Sequence, residues 1–304
     1  MKLGLCCQFA QEPIRFRVTT ATACARLARD AQLRKLSELC LLNAQALELA
    51  VEYCANHQIA AFRILSQFWP LKTHPKCGYR LEELPDYVAI ANQLQRVRTL
   101  AQQRSVRLTF HPDQFVVLNS PRPEVVASSL AELEYQAEAA ELVGADVINI
   151  HGGGEYGDKA AALARFRTNL QRLSSRARQF LTLENDDKIF TPADLLPVCD
   201  AERIPLCYDV HHHRCLPDEL SIVAATMAAI RTWERADLPR EPLFHLSSPL
   251  NGWGNSQPQL HHDEIDPTDV PAEWRQLPIT VDIEAKGKEL AIAKLQRSLR
   301  ANTM

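Results

Sequence analysis

Eight short apolar runs recur through the chain, at residues 3–7, 60–65, 106–110, 146–150, 180–183, 205–208, 243–246 and 279–283. Between them lie longer segments in which apolar residues return every three or four positions, at 39–54, 87–101, 125–142, 160–173, 193–199, 220–230 and 288–299. A short, mostly apolar run of this length predicts a strand covered on both faces, and the three-to-four spacing predicts a helix with one buried side. Strands that alternate with helices pair in parallel, because a parallel neighbour needs a crossover. Eight such units predict an α/β fold of the TIM (β/α)8 barrel type, with an open doubly wound sheet as the alternative. The weak point of the barrel reading is residues 250–274, where no clear helix fills the seventh crossover.

The prolines at 112, 121, 123, 249 and 258 fall between these segments, where a fixed φ and a missing N–H suit loops and helix starts. No repeat or low-complexity tract divides the 304 residues, and the whole of 1–304 is expected to form one domain. Mostly apolar stretches such as 40–50, which already holds Glu48, are too short to span a membrane, and the first residues lack the apolar stretch of a secretion signal. Nine cysteines, odd in number and mostly inside apolar runs, predict buried thiols in a reducing, cytoplasmic setting. Thirty-four basic and 37 acidic residues give a net charge of −3 with no basic block. That disfavours a nucleic-acid binder held by bulk charge, but leaves room for a local basic groove.

Chemistry in such a barrel is built at the carboxyl ends of the strands, where the following loops converge. Six consecutive runs end in a histidine or a carboxylate: His111 in TFHPDQF, His151 in INIHGGG, Glu184 in LTLENDD, Asp209 in LCYDVHHH, His245 in LFHLSSP and Glu284 in VDIEAKGK. Taken singly, each has an ordinary reading: a satisfied core histidine, a helix cap at Glu184, an Asx turn at Asp209. Together, three carboxylates in one half-buried pocket would cost roughly several kcal/mol each unless a cation offsets them. Mixed imidazole and carboxylate ligands suit zinc, manganese or iron, and their number exceeds what one tetrahedral ion uses. Two or three divalent ions are therefore expected.

Alternate side chains of an extended segment point opposite ways, so His211, His212 and His213 cannot all face one ion. Asp209 and His212 reach neighbouring ions if the chain turns after the strand, while His211 and His213 are open between supporting and plain loop roles. His261 and His262 form a further pair in the long seventh connection. No G-x-S-x-G elbow accompanies Ser247 and Ser248, and no base is spaced to activate a cysteine. Gly152, Gly153 and Gly154 fit a tight turn better than a phosphate cradle.

Seven segments together resemble a known family: FRIL with THP downstream, HPDQFVVLNSPRPEVVASSLAELEYQA from His111, IHGGGEYGDKAAALARF, LENDD, DVHHH, HLSSP and EAKGKE. The chain resembles the UV damage endonucleases, a branch of the barrel group that also contains endonuclease IV and xylose isomerase. The resemblance implies a DNA repair enzyme that hydrolyses the phosphodiester immediately 5′ to a distorting photoproduct in duplex DNA, leaving a 3′-hydroxyl. By position, the metal ligands would be His111, His151, Glu184, Asp209, His212, His245, His261 and Glu284, with manganese favoured and zinc, cobalt or iron as alternatives. Glu184 would bridge two ions, Glu284 would help hold the one that binds water, and His74 would approach the lesion strand. Gln114 and Phe115 would wedge into the base stack, although Phe115 also fits plain core packing and His74 a surface loop. Lys286 and Lys288 would touch phosphates or simply solvate a helix start.

Three positions depart from the family pattern: Leu5 stands for a tyrosine, Phe9 for an asparagine and Leu243 for a lysine. A monomer is expected. An abasic-site endonuclease, a metal-dependent sugar isomerase and a noncatalytic damage binder remain the competing functions.

Overall fold

The computed structural model describes residues 1–236 and 240–301. Its eight strands are β1 (Lys2–Cys6), β2 (Ala61–Ile64), β3 (Arg107–Phe110), β4 (Val147–His151), β5 (Leu181–Glu184), β6 (Leu206–Cys207), β7 (Leu243–Leu246) and β8 (Thr280–Ile283). The helices are α1 (Ala21–Ala25), α2 (Arg29–Asn56), α3 (Tyr87–Arg104), α4 (Pro123–Val143), α5 (Lys159–Leu170), α6 (Ser175–Arg178), α7 (Pro192–Glu202), α8 (Val210–Cys215), α9 (Ile222–Arg235) and α10 (Lys288–Ala301). All strands pair in parallel in the order β6-β5-β4-β3-β2-β1-β8-β7. The remaining seam is joined where Asp209 bridges to His245 and the His245 N–H donates to the Tyr208 carbonyl at 3.0 Å. The result is a nearly closed TIM barrel.

Every residue of β5, β7 and β8 is buried, as strands flanked by helices outside and packed side chains inside require. Local signals set the helix ends. Pro123 opens α4, and Gly144 closes it at φ 76°; Thr191 and Asp194 form a reciprocal capping box on α7. In the seventh crossover only the 3₁₀ turns Pro267–Asp269 and Ala272–Gln276 appear. They are pinned by the fully buried Trp274, whose indole N–H donates to Thr226 Oγ1 at 2.8 Å.

One expectation needs correction. The chain after β6 is not an extended segment with alternating side chains. It folds at once into α8, with Asp209 at the N-cap accepting the His212 N–H at 2.8 Å. Three adjacent histidines therefore fan out at roughly 100° intervals rather than alternating.

All nine cysteines are free; Cys7 and Cys215 are half-buried and the other seven buried. Among the described residues no helix is long and apolar enough to cross a membrane.

Candidate metal centre at the barrel mouth

Strand register brings the polar strand ends together. His151 lies opposite Glu184 across β4 and β5, and His245 lies opposite Asp282 across β7 and β8, so Glu284 emerges just beyond His245. Glu184 is fully buried at the middle of the group. Its Oε2 lies 2.9 Å from His111 Nε2 and 3.9 Å from His151 Nε2. Its Oε1 lies 3.1 Å from His245 Nδ1 and 3.4 Å from His212 Nδ1. Each carboxylate oxygen thus faces its own pair of imidazoles.

Burial by itself would raise the Glu184 carboxyl, but His245, His151 and the hydrogen bonds of His111 and His212 outweigh it and hold the group well below the usual carboxylate range. Glu284 follows the same pattern: burial raises it, and Arg63 and His245 hold it well below that range. Burial lowers His212, yet Asp209 and Glu184 keep its proton well above the ordinary imidazole value. Burial pushes His151 down.

Three overlapping groups bring their donor atoms within 4.8 Å of one another: His111, His151 and Glu184; Glu184, Asp209 and His212; Asp209, His245 and Glu284. Asp209 Oδ2, a carboxylate oxygen 3.5 Å from His212 Nδ1, is buried and carries no hydrogen-bond partner. Leaving such an oxygen unmet costs about 1–3 kcal/mol, and a cation bound by it removes that cost. The donor set therefore fits divalent cations bound by nitrogen and oxygen. A fourth group joins Glu184 and His245 with Cys207, which burial pushes up to about 12, so the thiol is neutral in the absence of an ion.

His261 stands at the rim, its Nδ1 3.8 Å from Glu284 Oε2 and its ring 5.1 Å from that of His211. The neighbouring His262 turns away, accepting the Glu264 N–H on Nδ1 at 2.9 Å. His211 meets the Ser247 carbonyl at 3.2 Å and packs on Trp253. His213 leaves the group altogether, held between Tyr208 Oη at 2.6 Å and Asp218 at 2.9 Å. Gly153, at φ 83°, makes the turn after β4, where a side-chain carbon would strike Asn119.

Above the centre runs a groove of about 1520 Å³, whose walls include His74, Gln114, Phe115, Tyr156 and Lys188 and whose floor includes Glu184. Phe115 is 77% exposed, so the core-packing alternative is wrong: its ring stands in solvent on the loop after β3. His74 lies in the groove wall rather than among the ligand atoms, with Nδ1 accepting the Lys76 N–H at 3.2 Å. Lys286 and Lys288 border a smaller hollow of about 280 Å³ with Arg63, His261 and Glu284. Leu5, Phe9 and Leu243 are buried apolar packing, Phe9 against Tyr53 and Phe62.

Four polar groups of the centre were not anticipated. Asn149 donates to Glu184 Oε2 while accepting from Thr182, and the Asn185 amide brackets the backbone of Asp209. Arg63 Nη1 donates to Glu284 Oε1 at 2.5 Å. Asp282, with both oxygens unpartnered, lies in the barrel interior 3.9 Å from His245 Nε2, in space left by the missing side chain of Gly4. The first two neighbour the recognised strand ends in INIH and LEND. Arg63 and Asp282 sit inside apolar runs, where a polar residue pointing into the barrel is the only available signal.

Comparison with known proteins agrees with this architecture. A UV DNA damage endonuclease of Bacillus velezensis is 36% identical over 261 residues, covering 83% of this chain and 78% of its own. One from Bacillus cereus is 29% identical over 294 residues, 94% of this chain and 89% of its own. The crystal structure of SacUVDE matches with a TM-score of 0.86 at 28% identity over 100% of this chain and 99% of that one. Endonuclease IV from Thermus thermophilus shares the fold, with a TM-score of 0.59 at 18% identity over 84% of this chain and 93% of that one. The family model described as UV-endonuclease UvdE matches residues 1–303, and the chain belongs to that family.

Proposed function

We propose that this protein is a metal-dependent UV DNA damage endonuclease, which nicks duplex DNA immediately 5′ to a photoproduct or similar distorting lesion and leaves a 3′-hydroxyl. The observation that carries the proposal is the position of Glu184. It is a buried carboxylate whose two oxygens face separate imidazole pairs, at the floor of a groove walled by an exposed phenylalanine. Such an arrangement would let two ions share one carboxylate. Chains of this family are named for damage to DNA, and an open groove suits a polymer better than a small sugar.

His111, His151, Glu184, Asp209, His212, His245, His261 and Glu284 would hold two or three divalent ions, manganese being the best match to so carboxylate-rich a set. Divalent ions at such a site activate water at neutral pH and stabilise the departing oxygen of a phosphodiester. Asn149 and Asn185 keep Glu184 and Asp209 aimed, as second-layer hydrogen bonds do around metal sites. Gln114 and Phe115 would enter the stack at the lesion, and His74 would approach the damaged strand from the groove wall. Bending duplex DNA into such a groove costs roughly 1–6 kcal/mol, and less where a lesion has weakened stacking, so damage is recognised as deformability.

Matched duplexes carrying a photoproduct, an abasic site or no damage, incubated with protein and Mn²⁺, test this reading. A single nick 5′ to the photoproduct is expected. Cutting of the abasic duplex alone would assign an abasic-site endonuclease, and binding to no duplex would return the small-sugar alternative.

A further inference from the structure

The two acidic poles of the centre are compensated differently. Among the described residues Glu184 meets four imidazoles and an amide, and no guanidinium or ammonium. Glu284 instead receives the Arg63 guanidinium on Oε1 at 2.5 Å, with both side chains only 13% exposed. The same Oε1 is 3.4 Å from His245 Nδ1, so the guanidinium occupies the oxygen that faces the donor group of Asp209, His245 and Glu284. Arg63 is fixed there by its strand, which pairs with Cys6 on one side and Thr109 on the other. The 280 Å³ hollow lined by Arg63, His261 and Glu284 lies beside this donor group and shares Glu284 with the main groove.

An arginine keeps its charge at every workable pH. Two like charges a few ångströms apart in a buried site are poorly screened, so a divalent ion bound at Glu284 carries a repulsion that ions at the other two donor groups escape. Resting on the metal-dependent reading above, we propose that Arg63 makes the ion held by Asp209, His245 and Glu284 the weakest of the centre, the last to load and the first to leave. The guanidinium also keeps Glu284 in place while that ion is absent.

Protein stripped with chelator and back-titrated with Mn²⁺, with free ion followed by electron paramagnetic resonance, tests the proposal without DNA. Wild-type protein is expected to bind its last ion at least tenfold more weakly than the others. Arg63→Met should tighten that last step at least tenfold and leave the tight steps unchanged, whereas Arg63→Lys, which keeps the charge, should preserve the wild-type ranking. The melting temperature supplies a second readout. Saturating Mn²⁺ should raise it further in Arg63→Met than in wild type, whereas loss of mere packing would lower metal-free and loaded values alike. Should Arg63→Met not fold, Arg63→Gln removes the charge while keeping a donor for Glu284. A single class of equal ions in wild type, or a last step unchanged or weakened by removing the charge, overturns the proposal. Wild-type protein that takes up no Mn²⁺ overturns the metal reading itself.

Discussion

The Asn185 side chain bonds both backbone groups of Asp209, donating to its carbonyl at 2.9 Å and accepting its N–H at 3.0 Å. Here β6 has ended after two residues and α8 has not begun, so a side chain takes over the pairing that a ladder would supply. Both residues are fully buried. Asn185→Ala is expected to cost about 1–3 kcal/mol of stability, because the buried Asp209 N–H loses its partner out of reach of water, while the Asp209 carbonyl keeps only the His213 N–H at 3.1 Å. It should also weaken Mn²⁺ binding by roughly 10- to 100-fold, the usual effect of removing a second-layer partner. Denaturant unfolding and metal titration measure the two effects separately.

Glu184→Gln keeps the size and the hydrogen bond from Asn149 on the retained oxygen, but removes the charge that four imidazoles face. Nicking of a photoproduct duplex should fall about a thousandfold or more, roughly 4 kcal/mol of transition-state stabilisation. Circular dichroism should match wild type. Substantial retained cleavage would remove Glu184 from the reaction.

Phe115 is already in solvent, so its truncation leaves the fold alone. Phe115→Ala should shift stability by no more than about 0.5 kcal/mol. Affinity for a lesion-bearing duplex should drop by about 1–3 kcal/mol, the range for an aromatic ring that stacks on a base. Affinity for undamaged duplex should change less. Equal losses on both duplexes would make Phe115 a general DNA contact.

The pH dependence of the metal-free protein follows from His212 and Glu184. His212 is raised in the fold by Asp209 and Glu184 against the opposing effect of burial, so its contribution is complete below about 6.5 and is lost as pH rises through the raised value. Glu184 is lowered despite burial, so its contribution is present above about 4.3 and is lost as pH falls through the lowered value. Burial depresses His151 and His211, which act in the opposite sense to His212. The discriminating quantity is therefore the stability gap between wild type and His212→Gln. In chelator it should be widest near pH 6 and narrow as pH rises through the raised His212 value. Because an ion must displace the His212 proton, apparent Mn²⁺ affinity should rise over the same interval.

The barrel was legible because each strand is a short, mostly apolar run between more polar segments, a pattern that burial on both faces favours. The seventh crossover stood out as the weak point of the barrel reading because residues 250–274 carry no helical period, although Ile265, Val270 and Trp274 are buried there. The ligand-bearing ends stood out because they interrupt apolar runs at equivalent points of successive strands. Helix α8 was not legible: histidines are mediocre helix formers, and the Asp209 cap resembles a turn until its acceptor geometry is known. Nor could the sequence separate His213 from its neighbours, because its role is set by Tyr208 and by Asp218 five positions on. Arg63 and Asp282 escaped because they lie within strands rather than at their ends, and their meaning depends on what faces them across the barrel.

The most direct measurement is elemental analysis of protein purified without chelator, set beside the Glu184→Gln variant. The account predicts at least two divalent transition-metal ions per wild-type chain, with manganese prominent, and a reduced count in the variant. A wild-type chain that carries no such ion and takes none up when supplied, while still cutting photoproduct DNA, would contradict it.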